Sequence, residues 1–129
     1  MKNGEIVHYE LPAKNPAKLS KFYANVLGWA FKDSGMVDMK YWTIKTSSSQ
    51  KMGFGGMYKK TMSQQVPTSY VSVANIDATV KKIQKSGGKV LVPKQAIPKM
   101  GWSVVARDPE GNALGLFQMD VKAGMPKKK

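Results

Sequence analysis

The sequence matches itself at an offset of sixty residues. Leu11 falls on Val71, Asn15 on Asn75, Tyr23 on Ile83, Gly28 on Gly88, Trp42 on Trp102, Thr43 on Ser103, Ile44 on Val104 and Gly55 on Gly115. Matches of such different character, in one order and without insertion, mark two copies of one supersecondary unit. Neither copy buries its apolar face alone. With only 129 residues to divide, the halves are expected to share one structure.

Each half reads as strand, helix, strand, strand, strand. Ile6–Leu11 has a strand's composition, with Val7, Tyr9 and Leu11 on one side and Ile6, His8 and Glu10 on the other. Asn15-Pro16 supplies an N-cap followed by proline at the first helical position. Leu19, Phe22, Tyr23 and Val26 then form an i, i+3, i+4, i+7 stripe that stops at Gly28. Strands follow at 29–32, 40–46 and 51–58, separated by Asp33-Ser-Gly35 and by a serine-rich turn at 47–50. After a polar connector the order restarts. A strand occupies 69–73, and Asp77 caps a short helix carrying Val80 and Ile83, stopped by Gly87-Gly88. Strands at 89–92, 102–106 and 112–118 complete it, with Asp108-Pro-Glu-Gly111 as a tight turn. The fold class is α+β: two tandem βαβββ modules, about 4–60 and 66–121, forming one curved mixed-sheet domain over 1–121, with a flexible basic tail at 122–129.

The motifs His8-Tyr-Glu-Leu-Pro, Phe22-Tyr-Ala-Asn-Val-Leu-Gly-Trp29 and Arg107-Asp-Pro-Glu-Gly-Asn-Ala-Leu-Gly-Leu-Phe-Gln118 span nearly the whole chain. At this spacing the sequence resembles the vicinal oxygen chelate superfamily, which includes glyoxalase I, extradiol dioxygenases and fosfomycin and bleomycin resistance proteins. The similarity is to its glyoxalase-like members, often described as related to lactoylglutathione lyase. In metal-using members the ligands come from the first and last strands of each unit. The resemblance places these positions at His8, Gly55, Thr68 and Gly115, of which only His8 can ligate a metal. The standard metal site is therefore broken, and no cofactor is expected. A rebuilt divalent site at His8 and Glu10 would start from two donors, short of the usual three or four.

Composition narrows the chemistry. There is one histidine and no cysteine, which excludes thiolate metal sites, disulfides and cysteine nucleophiles. Lys plus Arg number 21 against 8 Asp plus Glu, a net charge of +13 that favours anionic partners and disfavours cationic bleomycin. The lysines are scattered and lack aromatic interleaving, so a solvated basic surface is expected in place of a nucleic-acid site. A nucleic-acid module would instead bind with a steep salt dependence. No apolar run is long enough to span a bilayer and no cleavable leader is evident, so a cytoplasmic protein without a membrane partner is expected.

His8 and Glu10 are the catalytic candidates. His8 is either a strand histidine bonded to a neighbour or a ligand contact, and Glu10 either orients it or acts as a base. Strand alternation puts Gly53, Gly55 and Met57 on the cavity side of the first unit, and Ala113, Gly115 and Phe117 on that of the second. Glycines there leave room for a flat or apolar ligand, or else serve close strand packing. Trp42, Trp102 and Tyr70 either stack on such a ligand or belong to the core, and Thr68 occupies a first-strand position. Arg107, the only arginine, either grips an anion or pairs with a nearby acid such as Asp108 or Glu110. The expected function is metal-independent binding of a neutral or anionic small molecule by a homodimer. Lyase, isomerase or dioxygenase chemistry is the alternative.

Overall fold

A computed structural model describes residues 2–36, 39–47 and 55–125. The expectations for Gly53, the serine-rich turn from 48, the strand residues 51–54 and the last four tail residues lie outside the described residues. The chain divides into two compact units, His8–Thr68 and Met1–Val7 with Ser69–Lys129. The N-terminal residues therefore group with the second module. Gly4 N donates to the Ser72 carbonyl at 2.7 Å, and Ser72 N to that of Glu5 at 2.8 Å.

Module one contains β1 (Ile6–Ala13), α1 (Pro16–Leu27), β2 (Ala30–Asp33), β3 (Tyr41–Lys45) and β4 (Gly55–Lys59). Its strands lie in the order β2-β3-β4-β1, with β1 and β4 parallel and the other pairs antiparallel. The Asn15 side chain accepts from Lys18 N, Pro16 opens the helix, and Gly28 at φ 74° ends it in the left-handed region that glycine enters freely. Ala13, Ile44 and Met57 are buried beneath α1, ringed by Tyr9, Leu11, Leu19, Trp29, Phe31 and Trp42. Full burial of Ile44 and Met57 stabilises the module by roughly 1.5–3 kcal/mol each.

Module two contains β5 (Thr68–Ser72), α2 (Ile76–Lys85), β6 (Lys89–Ile97), β7 (Gly101–Arg107) and β8 (Ala113–Met119), in the strand order β5-β8-β7-β6. Its core is Val73, Ile76, Val104 and Leu116, with Val80, Ile83, Val90, Trp102 and Leu114 packed against it. Asp77 does not cap α2. Asn75 does, its side chain accepting from Ala78 N at 3.0 Å, while Asp77 sits within the first turn. The cap thus repeats that of α1, and Asp77 adds a favourable charge near the positive helix end.

The sixty-residue offset holds for the first strands and the helix N-caps, Asn15 and Asn75, and fails at the helix C-caps and in the last two strands. Glu10 pairs with Gly56 and Tyr70 with Gly115, so Gly56, not Gly55, is the counterpart of Gly115. Thr43 pairs with Gly56 and Val105 with Gly115, which makes Val104, not Trp102, the counterpart of Trp42. The connections before the last two strands differ in length between the modules. Pairing fixes the register, and a slip of one residue moves a side chain to the opposite face.

The Asp108 turn is held internally. Its carboxylate accepts from Glu110 N, Asn112 N and Asn112 Nδ2, each at 2.9 Å. Led by the Asn112 side chain, these bonds lower its pKa from the usual 3.8. The contribution to stability is present above the unfolded value and is lost as pH falls through the folded one. Melting temperatures of wild type and Asp108→Asn between about pH 6 and about pH 2 are expected to converge at the acid end. Parallel curves would contradict this role.

Candidate functional site

The face of module one opposite α1 is set by alternation along β1 and by its register with β4 and β3. Glu10 pairs with Gly56, which pairs with Thr43, and Pro12 pairs with Tyr58, which pairs with Tyr41. His8, Glu10, Tyr41, Thr43, Gly56 and Tyr58 therefore point to one side. Three of them are joined. The Tyr41 hydroxyl donates to Glu10 Oε2 at 2.8 Å and lies 2.8 Å from His8 Nε2, while Nε2 and Oε2 are 3.6 Å apart. A phenol has one proton. With that proton directed to Glu10, the bond to His8 requires Nε2 to carry hydrogen and donate. The His8 and Glu10 side chains retain 30% and 20% exposure, so a small molecule can reach both.

Gly56 makes this arrangement possible, because a Cβ there would run into the Tyr41 hydroxyl. Tyr58 lies beside the trio. Burial first, and then the Glu10 charge, push its pKa from 10.0 up to about 12. Its neutral form thus favours the fold below the unfolded value of 10.0, and that contribution is lost as pH rises toward about 12. In Glu10→Gln an ultraviolet titration is expected to show Tyr58 ionising earlier, by less than burial alone shifts it. An unchanged Tyr58 would separate it from Glu10.

The other expected site residues divide by face. Gly55 and Met57 do not share the face of His8 and Glu10; they pair with Tyr9 and Leu11 on the side packed against α1, where Met57 is fully buried. Gly55 leaves no open space either, since a Cβ would enter the Tyr9 ring. Trp42 packs against the module-one core. Trp102 packs against that of module two, its indole donating to Asp120 Oδ2 at 3.0 Å with Lys94 Nζ 4.7 Å from the ring centroid. Both tryptophans are helix-side packing residues.

Tyr70, Gly115 and Phe117 lie on the face of module two away from α2, with the Tyr70 ring in the space a Gly115 side chain would take. Ala113 pairs with Arg107 on that face. Arg107 Nη1 donates to the Gly111 carbonyl at 2.8 Å, bracing the turn. Thr68, buried at the start of β5, donates to the Val66 carbonyl at 2.8 Å. Each module therefore fills the space over its open-face glycine with a tyrosine, Tyr41 from β3 in one and Tyr70 from β5 in the other. Sequence reasoning missed Tyr41, Gly56 and Tyr58. The available signal was that Tyr41 is the strand neighbour of Trp42, so if Trp42 is core, Tyr41 faces outward.

The open face of module one does not fit a first-row divalent ion. Its donors are one imidazole and one carboxylate, both engaged by Tyr41, and Gly56 beside them offers none. Among the described residues no three His, Cys, Asp or Glu gather. Such ions take three or four ligands of these types.

The comparisons agree with this architecture. The sequence model of the Glyoxalase/Bleomycin resistance protein/Dioxygenase superfamily matches residues 5–116. The chain belongs to that superfamily. It is 24% identical over 119 residues to CFP32 of Mycobacterium tuberculosis (strain CDC 1551 / Oshkosh), a glyoxylase by name, covering 89% of this chain and 46% of the relative. The chain thus spans about half the length of the mycobacterial relatives it matches. Among solved structures, the Mn(II)-bound glyoxalase of Novosphingobium aromaticivorans aligns with a TM-score of 0.63 at 15% identity, covering 99% of this chain and 42% of that one. A Streptomyces coelicolor methylmalonyl-CoA epimerase aligns at 0.64 and 14%, covering 92% and 99%. At these identities the likeness is one of fold. No helix among the described residues is long and apolar enough to cross a membrane.

Proposed function

We propose that this protein binds a small neutral or anionic metabolite on the open face of module one, without the standard metal site of its superfamily, and works as a homodimer. The observation that carries the reading is the hydrogen-bonded trio of His8, Tyr41 and Glu10, partly exposed on the face opposite α1. An imidazole, a phenol and a carboxylate fixed against one another offer both donors and acceptors, so they can orient a polar group without metal. Register puts Lys32 beside Thr43 on the same side, which supplies positive charge toward an anion.

A second reading makes Glu10 a base in lyase or isomerase chemistry, favoured by its reachable carboxylate and by the likeness to an epimerase fold. The two are separated by a metabolite screen using thermal shift, followed by turnover assays on each hit. Saturable stabilisation without turnover, weakened in Glu10→Gln, supports binding alone. Turnover abolished in a folded Glu10→Gln variant supports the base. Hits that ignore Glu10, His8 and Tyr41 together would overturn both.

A further inference from the structure

Away from that face, the C-terminal end of β1 and the first turns of α1 enclose a shallow recess of about 400 Å³. Its apolar lining comes from Pro12, Ala13, Leu19 and Phe22, and Lys14 and Lys18 line it as well. The apolar surface continues along the helix. Phe22 is 55% exposed, and Val26, one turn further on, is 60% exposed. None of the α1 residues is buried and none is acidic, so Lys18 and Lys21 meet no opposite charge within the helix. An amphipathic helix of a finished globular surface turns its apolar stripe inward. Here part of the stripe, Phe22 and Val26, is turned out.

We propose that this recess and the Phe22–Val26 stripe dock an acidic protein segment anchored by a bulky apolar side chain. Charge selects against a second copy docking here, because a two-fold contact on this face would set Lys14 and Lys18 of one copy against the same lysines of the other. Shape selects against a lipid surface. A bilayer takes up protruding apolar side chains, whereas a recess flanked by lysines accepts an inserted one and pairs with carboxylates around it. The inference stands apart from the ligand reading, since Lys14, Lys18, Phe22 and Val26, on which it is tested, lie outside the His8, Tyr41 and Glu10 trio.

The test uses the full chain and a fluorescein-labelled peptide of glutamate and serine carrying two leucines one helical turn apart. Anisotropy is expected to show saturable binding that falls at least about tenfold when both leucines become serine, a loss of about 1.4 kcal/mol. The same fall is expected in Phe22→Ser and in Val26→Ser, two exposed positions where the fold tolerates polarity, with melting temperature as the control. Lys14→Glu combined with Lys18→Glu is expected to weaken binding further. Three outcomes would overturn the proposal: no binding, equal binding with and without the leucines, or equal binding by wild type and Phe22→Ser. Loss of anionic-vesicle binding in Phe22→Ser, with the peptide unaffected, would assign the stripe to a membrane and also overturn it.

Discussion

Gly55→Asp is expected to unfold the first module instead of supplying a metal ligand. The resemblance to metal-using relatives makes position 55 the natural place to restore a carboxylate. The register puts it on the other side of the sheet, packed beneath α1. A side chain there enters the Tyr9 ring, which stands 6.2 Å from Trp29 between ring centroids and has little room to retreat. The Tyr9 hydroxyl is buried without a hydrogen-bond partner among the described residues, so it can offer the newcomer one donor but no balancing charge. Burying an unpaired carboxylate beside it should cost at least about 3 kcal/mol. Urea denaturation measures the loss, with Gly56→Asp as the informative partner. At position 56 the obstacle is the tip of Tyr41, on the face away from α1, so the cost should be smaller while the trio is broken. Equal stability of Gly55→Asp and wild type would contradict the register.

The second large effect concerns Tyr41. Its hydroxyl bridges His8 and Glu10 at 2.8 Å to each, so Tyr41→Phe removes both bonds at once. Because the groups remain partly exposed and water can replace the phenol, stability should fall by only about 1 kcal/mol. Ligand affinity should fall at least about tenfold, since the imidazole and carboxylate must then be ordered by the ligand itself. His8→Ala should lose as much. A double variant should lose little more than either single one, because residues in one network are not additive. Isothermal titration with a hit from the metabolite screen reads all three. Independent, additive losses would mean that the trio does not act as a unit.

Much of the fold was legible because its signals are local. Asn15-Pro16 and Gly28 announce the ends of α1 within a few residues, though the start of α2 was read two residues late at Asp77, and alternation along Ile6–Leu11 puts His8 and Glu10 together without further information. What escaped was register. The self-match at Trp42 and Trp102, and at Gly55 and Gly115, looked like structural equivalence, but the sheets align Trp42 with Val104 and Gly56 with Gly115. The one-residue difference moved Gly55 and Met57 from the expected cavity side to the helix side, while the two tryptophans, open in the sequence between stacking on a ligand and core, pack with the cores. Tyr41 was hidden for the same reason, since nothing local to β3 says which strand lies across from it. The glycines also mislead when read alone. An absent side chain suggests an empty cavity, whereas tyrosine rings from neighbouring strands occupy the space over Gly55, Gly56 and Gly115.

Nitrogen-15 NMR of the imidazole tests the central claim most directly, because His8 is the single histidine and its signals need no assignment. In the free protein Nε2 is expected to be protonated and coupled to Tyr41, with the pattern altered in Tyr41→Phe. On adding a metabolite that stabilises the protein, the His8 signals should shift in proportion to occupancy, and the shift should vanish in Glu10→Gln. A saturating ligand that leaves every His8 signal in place would contradict the account and move the binding site away from this face.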